Sequence, residues 1–125
     1  MKEIKAYIRL SKAEAVIAAL EEAGAPGCAA IEVKGVGSSA VPEEEYLSID
    51  YVEEVSPVTK LELVCRDGDA ERLVEAIRKS AYSGRKGDGM IFVSEVVRAV
   101  RIRTGETGDE ALLPNTGCGR KRGLK

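Results

Sequence analysis

Polar and apolar residues alternate from the start of the chain. Ile4, Ala6 and Ile8 fall on one side of a period of two, with Lys5, Tyr7 and Arg9 on the other, which predicts a strand over residues 2–9 with one buried face. Ser11 and Glu14 have the spacing of a capping box, and Ala13, Val16, Ile17 and Leu20 behind them recur at helical intervals. Gly24, Pro26 and Gly27 end that helix. A second strand is expected at about 28–36, with Ile31 and Val33 on one face and Glu32 and Lys34 on the other.

Neither period holds from Gly37 to Ser56, and the stretch reads as a long exposed loop. Loops of that length inside a compact domain are uncommon and are usually functional or disordered. Alternation resumes with Thr59, Leu61, Leu63 and Cys65 against Lys60, Glu62 and Val64, a third strand. Asp67-Gly68-Asp69 makes a turn and helix cap, and Ala70, Leu73, Val74, Ile77 and Ala81 mark the buried stripe of a second helix. A glycine-rich stretch, Ser83 to Gly89, precedes short β segments near Met90–Val93 and Val97–Arg103. The order β-α-β-loop-β-α-β predicts an α+β, ferredoxin-like βαββαβ fold, with an antiparallel sheet, both helices on one face and a short extra C-terminal strand. The other face keeps Ile and Val, so oligomerisation is expected to cover it. Residues 104–125 lack periodicity, and the last part, 113–125, is expected to be a flexible tail after a domain at 1–112.

Composition narrows the function classes. The chain has 125 residues, enough for one domain, with 44% hydrophobic and 32% charged residues. A net charge of −2 gives no long-range field to collect nucleic acid or an anionic membrane. No apolar run approaches bilayer length and the N-terminal residues alternate like a strand, so a cytoplasmic location is expected. There is no His, which excludes a Cys/His zinc centre or a histidine-based triad, and no metal site is expected. Cys28, Cys65 and Cys118 are widely spaced. The first two read as buried strand residues, whereas Cys118, between glycines in the tail, reads as exposed and as a candidate redox contact.

Two segments carry candidate chemistry. In Gly84-Arg85-Lys86-Gly87-Asp88-Gly89, glycines allow close backbone approach to phosphate oxygens while Arg85 and Lys86 add positive charge. Taken alone it is as well explained as an ordinary turn. Arg101 and Arg103, read as projecting from one face of a strand, suit bidentate phosphate recognition, although either alone would pass for a solvated strand residue.

Together with Glu32-Val33-Lys34-Gly35-Val36-Gly37, Gly87-Asp88-Gly89 before Ile91-Phe92-Val93-Ser94, and Arg101-Ile102-Arg103-Thr104-Gly105-Glu106, the chain resembles the PII (nitrogen regulatory P-II) signal-transduction proteins, as a divergent member. The resemblance runs from Met1 to about Leu112. It implies a trimeric barrel of ferredoxin-like subunits with ATP, ADP or AMP at each subunit boundary, and no obligatory cofactor. It assigns Gly35, Gly37, Glu62 and Val64 to the adenosine part of the site, Gly87, Asp88 and Gly89 to the phosphate loop, and Arg101 and Arg103 to the phosphates. The segment at 37–56 corresponds to the T-loop, which docks onto a protein target such as a transporter, enzyme or regulator. Membrane contact would then be indirect, through a transporter. Tyr51 aligns with a tyrosine that some members have uridylylated.

Three departures concern the ligand. Ser39 stands where 2-oxoglutarate-sensing members carry glutamine, Val58 where they carry lysine, and Met90 where a phosphate-binding lysine is usual. Nucleotide binding is expected to survive, with ADP or AMP favoured and the 2-oxoglutarate response weak or absent. The loop carries six acids and no base between Gly37 and Ser56. Glu43, Glu44, Glu45, Tyr46, Asp50, Tyr51, Glu53 and Glu54 would therefore meet a basic partner surface, unless the loop is simply solvated. Arg120, Lys121 and Arg122 of the tail read as solubilising.

The leading expectation is a non-catalytic regulator, in nitrogen metabolism by the family's usual field. A regulator of another nutrient, with bicarbonate or another small anion as effector, is the alternative. Small enzymes also occur on ferredoxin-like folds. Here no Ser or Cys has an evident base, which leaves only slow ATP hydrolysis by Lys or Asp near Gly87. A structural oligomer with a vestigial site is the third class.

Overall fold

A computed structural model describes residues 1–36 and 55–113. Six regular elements follow one another: β1 (Lys2–Arg9), α1 (Ala13–Glu22), β2 (Ala29–Val36), β3 (Val55–Cys65), α2 (Ala70–Ala81) and β4 (Met90–Glu95). The strands form one antiparallel sheet in the order β2-β3-β1-β4, the ferredoxin-like arrangement expected from the pattern of the chain.

Register decides which residues share a face. Ile4 pairs with Leu63 and Val93, Ala6 with Leu61 and Ile91, and Ile8 with Thr59. Directly paired side chains lie on the same side of an antiparallel sheet. Ile4, Ala6, Ile8, Leu61, Leu63 and Cys65 thus form one layer of the core, closed by Val16 and Leu20 of α1 and by Leu73, Ile77 and Ala81 of α2. Lys5, Tyr7, Lys60, Glu62 and Phe92 occupy the opposite face, which no helix among the described residues covers. Tyr7 and Phe92 meet there edge to face at 6.1 Å between ring centroids, and Phe92 remains 53% and Met90 59% exposed.

α1 ends in a Schellman motif. Gly24 takes φ +84°, its N–H bonds the Glu21 carbonyl at 3.0 Å, and the Ala25 N–H reaches back to Leu20 at 3.0 Å. Arg72 of α2 donates from Nε to the Ala23 carbonyl at 2.9 Å, which ties the second helix to the end of the first. β2 and β3 are paired as far as Val36 opposite Val55. β3 starts earlier than alternation from Thr59 implies. Pro57 is accommodated because pairing with β1 stops at Val58, leaving Pro57 a neighbour on the β2 side only.

Four expectations require correction. The segment Val97–Arg103 is not a strand: among the described residues its only ladder contact is a single bridge from Val100 to Thr107. Arg101 N–H bonds Glu106 at 2.8 Å and Gly105 N–H bonds Arg101 at 2.7 Å, closing a tight turn that needs the positive φ of Gly105. The Ser11–Glu14 box does not set the start of α1, because a 3₁₀ turn over Leu10–Lys12 comes first and Lys12 becomes the cap residue, with no side-chain cap bond. Asp69 is the cap residue of α2, but its carboxylate takes Arg66 at 3.3 Å and Arg72 at 3.0 Å instead of the helix amides. Cys28 is exposed just ahead of β2, whereas Cys65 is buried. Among the described residues no helix is long and apolar enough to cross a membrane.

Leu73 has no exposed surface and packs α2 on the sheet. Leu73→Ala should lower the unfolding free energy by about 2–5 kcal/mol, the range for a large buried aliphatic truncated to Ala. A urea titration followed by far-ultraviolet circular dichroism would measure it, and a loss below about 1 kcal/mol would contradict this packing.

Candidate functional site

At the end of the sheet where β1 finishes and β4 begins, the strands and the loop between α2 and β4 enclose a hollow of about 600 Å³. Val33, Lys34, Gly35 and Val36 of β2, Val58 of β3, Tyr7 and Ile8 of β1, and Met90 and Phe92 of β4 form the walls, with Gly87, Asp88 and Gly89 at the rim. Gly35 and the glycine turn, far apart in sequence, thus share one cavity.

The turn owes its shape to one carboxylate. Asp88 Oδ2 accepts from the Ser83 N–H at 2.8 Å and the Gly84 N–H at 2.9 Å, and Oδ1 accepts from Arg9 Nε at 3.1 Å and from the Ser83 hydroxyl. Arg9 also donates from Nη2 to the Lys86 carbonyl at 2.7 Å. Gly84, Gly87 and Gly89 all have positive φ. Gly89 lies so close to β1 that a Cβ there would collide with the Tyr7 carbonyl. Glycine is required at that position both by the backbone conformation and by the approach. Burial pushes the Asp88 carboxyl pKa up, but the hydrogen bonds from Ser83, Gly84 and Arg9 outweigh it and hold the group well below the usual carboxylate range.

The other expected site residues divide by location. Arg85 and Lys86 are exposed on the turn outside the cavity wall. Glu62 and Val64 lie on the open sheet face four and six residues beyond Val58, about 13 and 20 Å along β3. Glu62 faces Lys5 across the sheet and pairs with Lys60 at 3.0 Å.

Arg101 and Arg103 do not project from a strand. Arg101 folds inward: its Nη2 donates to the Ala111 carbonyl at 3.0 Å and to the Leu113 carbonyl, and Nε lies 3.3 Å from Glu106. Arg103 is exposed on the turn, next to an Ile102 that is 100% exposed. This turn follows the far end of β4, where Val96 N–H bonds Met1 and where Asp109 shares a second hollow with Met1 and Asp67. The length of β4 alone, about 20 Å, separates it from Gly89. Within one chain the glycine turn and the arginines are at opposite ends of the sheet.

Gly37, Ser39, the acidic positions from Glu43 to Glu54, Tyr51 and Cys118 lie outside the described residues. Among the described residues no three His, Cys, Asp or Glu side chains are placed to hold a metal ion. Sequence reading missed Arg9 and Ser83, which organise the turn. The available signal was a cation at the last position of the open face of β1, where a solvated lysine or arginine is the ordinary expectation.

The sequence profile of the family described as nitrogen regulatory protein P-II matches residues 1–106. Over 112 residues the chain is 46% identical to the nitrogen regulatory protein P-II of Rhizobium meliloti (strain 1021), covering 90% of this chain and all of that protein. It is 48% identical to nitrogen regulatory protein P-II 2 of Methanothermobacter thermautotrophicus (strain Delta H), covering 90% of this chain and 97% of the relative. The corresponding protein of Azospirillum brasilense is 44% identical, with 90% of this chain and all of the relative covered. The chain belongs to the nitrogen regulatory protein P-II family, a family of non-catalytic regulators.

Because the folded-state pKa of Asp88 is depressed, the stability it contributes is fully present above its unfolded value, about 4, and is lost as pH falls through the folded value. Asp88→Asn should therefore lower stability by about 1–3 kcal/mol at pH 7, with the gap to the parent chain narrowing below pH of about 4. Chemical denaturation at pH 7, 4 and 3 would check this, and a gap that widens toward acid would contradict it.

Proposed function

We propose that this P-II protein reads the cytoplasmic adenine-nucleotide pool at the boundaries of a homotrimer and passes the result to a protein target through residues 37–56. The observation that supports this is the separation of its ligand-type groups. The glycine turn and Gly35 sit at one end of the sheet, whereas Glu62, Val64, Arg101 and Arg103 sit toward or beyond the other. Neither half is a nucleotide site alone. A head-to-tail contact joins one end of a subunit to the opposite end of the next, and if the rotation closes at three copies, each boundary holds one complete site. The uncovered face with Tyr7, Ile31, Met90 and Phe92 supplies apolar surface for that contact.

In this reading Gly87, Asp88 and Gly89 offer backbone to the phosphates, Arg85 and Lys86 raise the local positive charge, and Arg101 and Arg103 approach from the neighbouring copy. Gly35 and Gly37, with Glu62 and Val64, bracket the adenosine. The acidic loop, Glu43 to Glu54 with Tyr51, then meets a basic surface on the target.

The cavity wall also bears on the effector. Val58 and Met90 line it, and among the described residues Lys34 is its one cationic lining residue. A dicarboxylate needs paired cations or donors when it leaves water, and this wall disfavours 2-oxoglutarate. A smaller anion such as bicarbonate, whose single charge needs no second cation beside Lys34, is the second reading.

Calorimetric titration with ATP, ADP and AMP, combined with sedimentation equilibrium, tests the reading. A trimer binding ADP or AMP is expected, with Arg103→Ala weakening binding about tenfold or more, as for loss of a charge-assisted hydrogen bond. 2-Oxoglutarate should change ATP affinity by less than about twofold, the reverse of ligand linkage. A monomer, or no heat with any adenylate, would overturn the proposal.

A further inference from the structure

Arg9 is 0% exposed, an unusual state for an arginine at the end of a strand. Its Nε reaches Asp88 at 3.1 Å and its Nη2 reaches the Lys86 carbonyl at 2.7 Å, so one guanidinium holds two points of the glycine turn. Its backbone belongs to β1, which is paired with strands on both sides. The turn carries three positive-φ glycines and depends on cross-links to remain in one conformation. A buried arginine requires several acceptors to offset its desolvation, and the turn supplies Asp88 and the Lys86 carbonyl.

We propose that Arg9 is the positioning residue of the anion-binding turn, acting by anchoring residues 83–89 to β1 and by neutralising the Asp88 carboxylate that would otherwise repel an incoming phosphate. This rests on the nucleotide reading given above and adds to it a residue outside the ligand-contacting set. The two effects have different signatures. Loss of anchoring weakens every adenylate, whereas an uncompensated carboxylate penalises ligands in the order of their negative charge, ATP more than AMP.

The test uses the full chain with Arg9→Gln, Arg9→Lys and the double variant Arg9→Gln/Asp88→Asn. Arg9→Gln should weaken ADP about tenfold or more, with a larger factor for ATP than for AMP. Arg9→Lys, which keeps the charge but loses the two-point contact, should weaken all three adenylates by less than Arg9→Gln does. The double variant should recover part of the loss, because the unpaired carboxylate is gone. ADP affinity of Arg9→Gln within twofold of the parent, or an equal loss for all three adenylates, overturns the proposal.

Should Arg9→Gln fail to fold, amide hydrogen exchange decides. The Ser83 and Gly84 N–H groups should be protected in the ligand-free parent and should exchange faster in Arg9→Lys, while α1 and α2 are unchanged. Exchange at unstructured rates in the parent overturns the anchoring role. If the parent binds no adenylate, the functional reading fails and the exchange measurement still judges Arg9.

Discussion

The register of β1 is the constraint on which the rest of the molecule depends. It fixes Tyr7 opposite Lys60 on one side and Met90 on the other, and a slip of one residue would exchange the core face of β1 for its charged face. The same register delivers Arg9 to the glycine turn and brings Gly89 against the Tyr7 carbonyl. The apolar core and the rim of the cavity are two products of a single alignment. Ile4, Ala6 and Ile8 enforce it, because only one register buries all three against Leu61 and Leu63.

Charge in the turn is resolved internally. Asp88 collects Ser83, Gly84 and Arg9 around itself. Its side chain therefore shapes the loop, while Gly87 and Gly89 on either side of it line the cavity. At the other end of the sheet Arg101 is also engaged, with the carbonyls of Ala111 and Leu113. The two ends that carry ligand-type chemistry are thus locally pre-formed, each by an arginine that binds backbone carbonyl oxygen.

Much of this was legible in the chain. The period-two runs at Ile4–Ile8 and Thr59–Cys65, and the stripe from Ala70 to Ala81, gave the sheet and α2, because in each a single buried face dictates the residue pattern. Gly87, Asp88 and Gly89 were legible as a turn near phosphate-type chemistry. The apparent strand at Val97–Arg103 was not distinguishable, since β-branched residues and arginines there alternate as in a strand, while the hydrogen bonds around Gly105 turn the backbone. Arg9 was missed because alternation says which face a residue occupies and nothing of whether a loop later folds over it. The capping box failed for a related reason: the 3₁₀ turn at Leu10–Lys12 moved the helix start past Ser11.

Pairing of Val36 with Val55 holds these two residues within about 5.5 Å of one another, beside the wall formed by Gly35 and Val36. The cost of closing such a loop grows only with the logarithm of its length. The fold therefore serves as a socket: the strand ends stay fixed while the sequence between them is free to be replaced or lengthened, with little penalty to the sheet.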